Sequence, residues 1–134
     1  MIFLKKNCIG IVVWSVLLLI LYYVFMKNKE RVFYLNEREF LYTIGTTIDY
    51  KNPGKGAPII EYYFYYEKTM NSENYYNINT SNLKKEGLKS YVGKKYFVKF
   101  SIEKPEYSEI YLDKPVPKDF VYKEGQTWSK IPID

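Results

Sequence analysis

Few residues in this chain could carry chemistry. Three glutamates, Glu103, Glu106 and Glu109, crowd around Pro105. Neighbouring carboxylates can run acid–base hydrolysis or hold a hard cation. Here they alternate with Lys104 and Tyr107 in a turn-rich connection, which is the pattern of a solvated loop, and the structural reading is preferred. From Gly87 to Lys95 the order Gly-Leu-Lys-Ser-Tyr-Val-Gly-Lys-Lys approaches a phosphate-binding loop. That motif needs four residues between its glycines and a hydroxyl side chain after the lysine to hold magnesium. Five residues intervene and Lys95 takes the place of the hydroxyl, so the motif fails twice. Gly54-Lys-Gly56 offers backbone amides without the strand-to-helix setting that aims them at a phosphate, and reads as a turn. Asn79-Thr-Ser81 matches a glycosylation acceptor, which has meaning only in a eukaryotic secretory pathway.

What is missing narrows the field further. There is no histidine, and the only cysteine is Cys8. Cys-His and Ser-His nucleophile systems, His/Cys zinc sites, thiol redox pairs and an intrachain disulfide therefore all lack their parts. No catalytic residue, no metal ligand and no cofactor is expected. Cys8 reads as a small apolar residue at the edge of an apolar run, with S-acylation as the minority alternative. A lipoprotein signal is rejected, because Lys6 and Asn7 stand where small residues and a leucine belong.

Tyrosine is the conspicuous excess, at 16 residues beside eight phenylalanines and two tryptophans. Aromatic side chains on an outer strand face can stack bases or sugars, and Tyr63, Tyr65 and Phe97 are the candidates for such a surface. Packing is the stronger reading, since tyrosine suits a half-buried pleated surface. The charge balance argues against nucleic acid. Six of the 20 basic and three of the 15 acidic residues precede Tyr42, so the remainder carries 14 against 12. Much of the net +5 thus lies where anionic lipid headgroups would be.

These residues must be positioned by the elements around them. Ile9 to Met26 is uncharged and almost wholly apolar, with Lys5 and Lys6 before it and Lys27, Lys29 and Arg31 after it. About 18 residues at about 1.5 Å each match the thickness of a hydrocarbon core, which predicts a single transmembrane helix over 9–26 behind a tail at 1–8. The run is longer than the apolar region of a cleaved signal, and no small-x-small site follows it. Residues 27–41 are charged helix formers and predict a helical stalk. From Tyr42 the period changes to two: Tyr42, Ile44, Thr46, Ile48 and Tyr50 share one face of a strand. Asn52 to Pro58 reads as a hairpin turn. Ile59–Glu67 follows as a strand, with Ile60, Tyr62, Phe64 and Tyr66 on one face and Glu61, Tyr63, Tyr65 and Glu67 on the wet one. A turn at Asn71–Asn74 and a short strand at Tyr75–Asn79 come next, then a short helix between Ser81 and Gly93. Lys94–Ile102 alternates again, Tyr96, Val98 and Phe100 against Lys95, Phe97 and Lys99, and Ser108–Asp113 is a last strand. Pro115 and Pro117 exclude a central strand there.

This order predicts a mainly β domain over 42–117, a small five- to six-stranded antiparallel barrel, OB-like or SH3-like, with one short helix. The tail at 118–134 is expected to pack on it. Residues Gly93–Pro105, with the Gly-x-x-Tyr-x-Val strand, and Ser108–Pro117, with Glu61–Tyr66 as a Tyr-x-Tyr strand, resemble small uncharacterised bacterial membrane proteins. The resemblance runs from about Gly45 to Pro117. It implies a small β domain fixed to the membrane and supplies no catalytic residues.

The expected function is accordingly that of a single-pass membrane protein whose β domain is a non-catalytic binding or protein-interaction module, in contact with membrane lipid. Its partner is expected to be a protein, in preference to nucleic acid or a small-molecule substrate. A short N-terminal tail tends to stay inside, which would set the domain on the periplasmic or extracellular side; the flanking charges do not decide it. An immunity or accessory protein for a toxin or secretion system is the alternative, and an enzyme using carboxylates the remote one.

Overall fold

The computed structural model of the chain describes residues 2–51, 59–75 and 88–133. The chain divides into two units, Met1–Phe33 and Tyr34–Asp134.

The first unit is helical. Helix α1 spans Ile2–Asn36, 35 residues with no proline and, after Gly10, no glycine. Its apolar side chains from Ile9 to Met26 are 45–69% exposed, so no protein core covers them. The helix is long and apolar enough to cross a membrane. Ser15 is reconciled with that run by donating its hydroxyl to the Ile11 carbonyl at 2.8 Å, which satisfies the donor within the helix. Where the apolar run ends, the Lys29 ammonium lies 4.9 Å from the centre of the Phe25 ring, and Lys27 pairs with Glu30 at 3.3 Å. The helix stops at Asn36 rather than at Leu41. Phe40 and Leu41 instead pair with Ser101 and Phe100, so sheet contacts override the helix propensity of the charged segment.

The second unit is an antiparallel sheet of β1 (Phe40–Lys51), β2 (Ile59–Tyr66), β3 (Thr69–Tyr75), β4 (Lys95–Ser101) and β5 (Ser108–Pro115). The order across the sheet is β3-β2-β1-β4-β5, and a 3-10 turn at Leu88–Tyr91 precedes β4. The expected barrel is not closed. β3 and β5 approach within 8 Å by Cα, yet no ladder joins them. Register irregularities at Thr47/Asp49 in β1 and at Tyr96/Phe97 opposite β5 add the twist that curls the sheet. Closure would need an unbroken row of donors on β5, which slips register between Tyr111 and Pro115 and has no N–H at Pro115.

One face of the sheet carries the core: Ile60, Tyr62, Phe64, Tyr96, Val98, Phe100, Ile110 and Leu112. Burying a side chain such as Phe64 or Phe100 contributes roughly 1.5–3 kcal/mol. The Tyr62 hydroxyl is carried into this core by a 2.7 Å hydrogen bond with Ser108 Oγ. On β1 the core-facing residues are Leu41, Thr43, Gly45 and Thr47, opposite in phase to the apolar set Tyr42, Ile44, Thr46 and Ile48 expected to lie inward. The bulge after Thr47 then returns Tyr50 to the core side, packed on the cluster. Thr47 is buried because its hydroxyl donates to the Tyr91 carbonyl and tethers the end of the 3-10 turn to β1.

Two further expectations are corrected. The β2–β3 turn is at Glu67–Lys68, with φ of 49° and 65°, so Asn71–Asn74 lies within β3 and not in a turn. β3 is a polar edge strand, and no apolar alternation could announce it. The expected strand at Tyr75–Asn79 contributes only Tyr75; residues 76–79 lie outside the described residues. The hairpin turn at Asn52–Pro58, the glycosylation match at Asn79 and the helix start at Ser81–Gly87 also lie outside them.

Candidate functional site

The second face of the sheet divides into a covered part and an open part. Strand alternation aims Tyr63 and Tyr65 of β2 to this face, since Tyr62 and Phe64 point into the core. Thr46 of β1 pairs with Tyr63 on one side and Lys95 on the other, so Tyr63, Thr46 and Lys95 form one row across three strands. The neighbouring row holds Ile44 paired with Phe97.

The segment after β5 returns across the Phe97 row. Trp128 pairs with Tyr42 through two backbone hydrogen bonds of 2.8 and 2.9 Å, and the Thr43 hydroxyl donates to the Gln126 carbonyl at 2.8 Å. The Phe97 ring then meets Phe120 at 5.9 Å and Trp128 at 6.2 Å, both edge to face. Phe97 is fully buried as a result, and cannot belong to an exposed stacking surface. Both faces of β4 are covered, which a period-two pattern cannot express.

Over the Thr46 row the tail stands off and leaves a groove of about 380 Å³. It is lined by Ile44 and Thr46 of β1, Tyr63 and Tyr65 of β2 and Lys95 of β4, with Tyr122–Gly125 of the tail as its wall. The Tyr63 and Tyr65 rings are 5.8 Å apart at 86°, which makes a corner. The wall is shaped by a turn in which Gln126 N–H donates to the Lys123 carbonyl and Gln126 Oε1 accepts from Lys123 N–H. Gly125 takes φ +79°, a left-handed conformation that glycine adopts without penalty. Val121, 92% exposed, points away while Phe120 and Tyr122 stack 6.1 Å apart.

Lys95 is the charged residue that the sheet contributes to the groove. Its ammonium lies 5.3 Å from the centre of the Tyr122 ring. The Tyr122 hydroxyl, by hydrogen bonding first, raises the pKa of Lys95 above the ordinary lysine value, and desolvation opposes this. The side chain is therefore a permanent cation beside tyrosine rings and one carboxylate.

The three glutamates around Pro105 do not converge on a site. Glu103 pairs with Arg38 at 2.9 Å, and Glu109 stands opposite Lys99 in the β4–β5 ladder. Lys99 is buried, donates to Asn36 Oδ1 at 3.3 Å and lies 4.0 Å over the Phe40 ring. Desolvation lowers its pKa, and Glu109 partly opposes this. Lys104 caps the stacked Tyr34 and Tyr107 rings. This cluster ties the last turn of α1 to the β4–β5 connection. Among the described residues no group of three or more Cys, Asp and Glu side chains could hold a metal ion.

Comparison with protein-family models, curated proteins and solved structures returned no match, so the reading of the groove rests on its geometry. Of its residues, Tyr63 and Tyr65 were candidates from sequence. Alternation sets Lys95 on the same strand face as Phe97, and the tail carrying Tyr122, Lys123 and Glu124 is expected to pack on the domain, but the sequence does not say over which strands. Their only local signal is the Glu124-Gly125 turn, and a turn does not say which strand it will lie over.

Proposed function

We propose that this chain is a membrane-anchored binding module, with α1 as a single-pass anchor and the groove over Tyr63, Thr46 and Lys95 as its ligand site. The observation that carries the reading is the groove itself: tyrosine rings, two lysines and one carboxylate line it where the tail stands off the sheet. Ligand sites commonly combine aromatic walls with a few placed polar groups in this way. Five strands, an open seam and a helical turn before the fourth strand suit a partly open OB-like barrel better than an SH3-like one, and OB barrels bind ligands on their outer strand faces. A binding role without chemistry suits the residue set, which has no histidine and no cysteine outside the N-terminal region. The β domain is proposed to work on the extracytoplasmic side.

The test uses the full chain. In native membranes it should stay in the pellet through an alkaline wash, and release to the supernatant overturns the anchored part. In nanodiscs it should bind at least one class among simple saccharides, oligonucleotides and short peptides, with Tyr65→Ala abolishing the signal. Binding that ignores Tyr65→Ala, or none across the panel, removes the groove as the site.

A further inference from the structure

Resting on that reading, we infer that the groove takes a glycan bearing one acidic substituent: a mono- or disaccharide unit whose carboxylate or phosphate meets Lys95 and whose ring packs into the Tyr63–Tyr65 corner. Four features of the site select this class.

The first is the shape of the aromatic floor. Rings at 86° cannot offer successive parallel faces, so they suit a puckered ring with substituents on two sides better than a ladder of flat bases. Volume is the second. At about 380 Å³ the groove is at the small end of the range for small-ligand sites, enough for a short saccharide.

Charge is the third. Lys95 and Lys123 line the groove beside Glu124, and Glu61 lies on the same β2 face, 3.9 Å from Lys51. A polyanion needs several cations to neutralise its phosphates, and the carboxylates here would oppose it. Two lysines and one carboxylate leave the groove a net of one positive charge, which matches a single anionic group, while Glu124 and the hydroxyls of Thr46 and Tyr122 can hydrogen-bond sugar hydroxyls.

The fourth feature is the state of the backbone below. Thr46 is already paired with Tyr63 and with Lys95, so no ladder group under the groove is free to take up an extended peptide. Recognition must come from side chains, which suits a ligand rich in hydroxyls.

The experiment is calorimetric titration of the full chain in nanodiscs with three probes: galacturonic acid, galactose and the oligonucleotide dT6. Galacturonic acid should bind about tenfold or more tightly than galactose, the worth of one charge-assisted hydrogen bond. Lys95→Met should bring the two sugars to within about twofold of each other, and Tyr65→Ala should weaken both. Lys95 is exposed, so its replacement should leave the circular dichroism spectrum unchanged; Lys95→Gln serves as the second variant if the methionine perturbs folding. Equal affinity for the two sugars in the wild type, or a preference that survives both lysine variants, overturns the acidic glycan. Tyr65-dependent binding of dT6 alone overturns the glycan and leaves the binding module standing. No binding of any probe or of a short peptide removes both.

Discussion

A methyl group built on Gly45 would lie 2.6 Å from Val98 Cγ2 and 3.2 Å from the Tyr63 carbonyl oxygen. Glycine is required there by close approach, because β1 passes between Tyr62 and Val98 at the centre of the sheet with its core face inward. Gly45→Ala should destabilise the β domain by about 1–3 kcal/mol, the usual cost of overpacking. The cost should shrink in a Val98→Ala background, where Cγ2 is gone, and equilibrium unfolding of the four variants in a double-mutant cycle measures the coupling. Equal costs in both backgrounds would show that the Val98 contact is not the cause. At this scale the sequence is informative about Tyr63 and Tyr65, whose face follows from alternation. It is uninformative about Gly45, since a lone glycine in a strand pattern marks a bulge as readily as a close contact.

At the level of elements, the β2–β3 hairpin turns through two non-glycine residues, Glu67 and Lys68, both at positive φ. A two-residue turn of this hand favours Asn-Gly, and each L side chain in the left-handed region costs roughly 1 kcal/mol or more. Replacing the pair by Glu67→Asn with Lys68→Gly should therefore raise stability by about 1 kcal/mol without moving the register that pairs Tyr66 with Thr69. Thermal unfolding reads the gain, and a lower melting temperature would contradict the turn geometry. This hairpin was not legible because its turn carries no Gly, Pro or Asn and its second strand has no apolar period. β4 failed differently. Its alternation is legible, but the tail covers the Phe97 side, so Phe97 is core.

For the molecule as a whole, buried tyrosine hydroxyls predict how the fold responds to alkali. Burial, then the neighbouring Tyr91, pushes the Tyr96 hydroxyl up to about 12. Tyr111 is raised further, by burial first and then by Glu109. Unfolded tyrosine loses its proton near pH 10, so above that value the unfolded state binds fewer protons than the folded one and stability falls as pH rises. Below about pH 10 this contribution is intact; between about 10 and 12 it is lost at roughly 1.4 kcal/mol per pH unit for each such group. Melting temperatures of the full chain in detergent from pH 8 to 12 should show a plateau and then a decline, shallower in Tyr96→Phe. A flat profile to pH 12 would be incompatible with these buried hydroxyls.

The amino-acid sequence alone determined the apolar helix, the faces of β2, the antiparallel strand series and the absence of the usual nucleophile and metal-site residues. Each of these depends on composition or on periodicity within a few neighbouring residues, where local sterics and water decide the outcome. Only the tertiary structure decided that the sheet stays open, that Thr43, Gly45 and Thr47 face the core, and that Phe97 is buried while Tyr63 and Tyr65 line a groove. Those outcomes depend on contacts between residues far apart in the chain, such as Tyr42 with Trp128 and Lys95 with Tyr122. Alternation tells which side chains share a face; what covers that face is settled by the segment that packs against it.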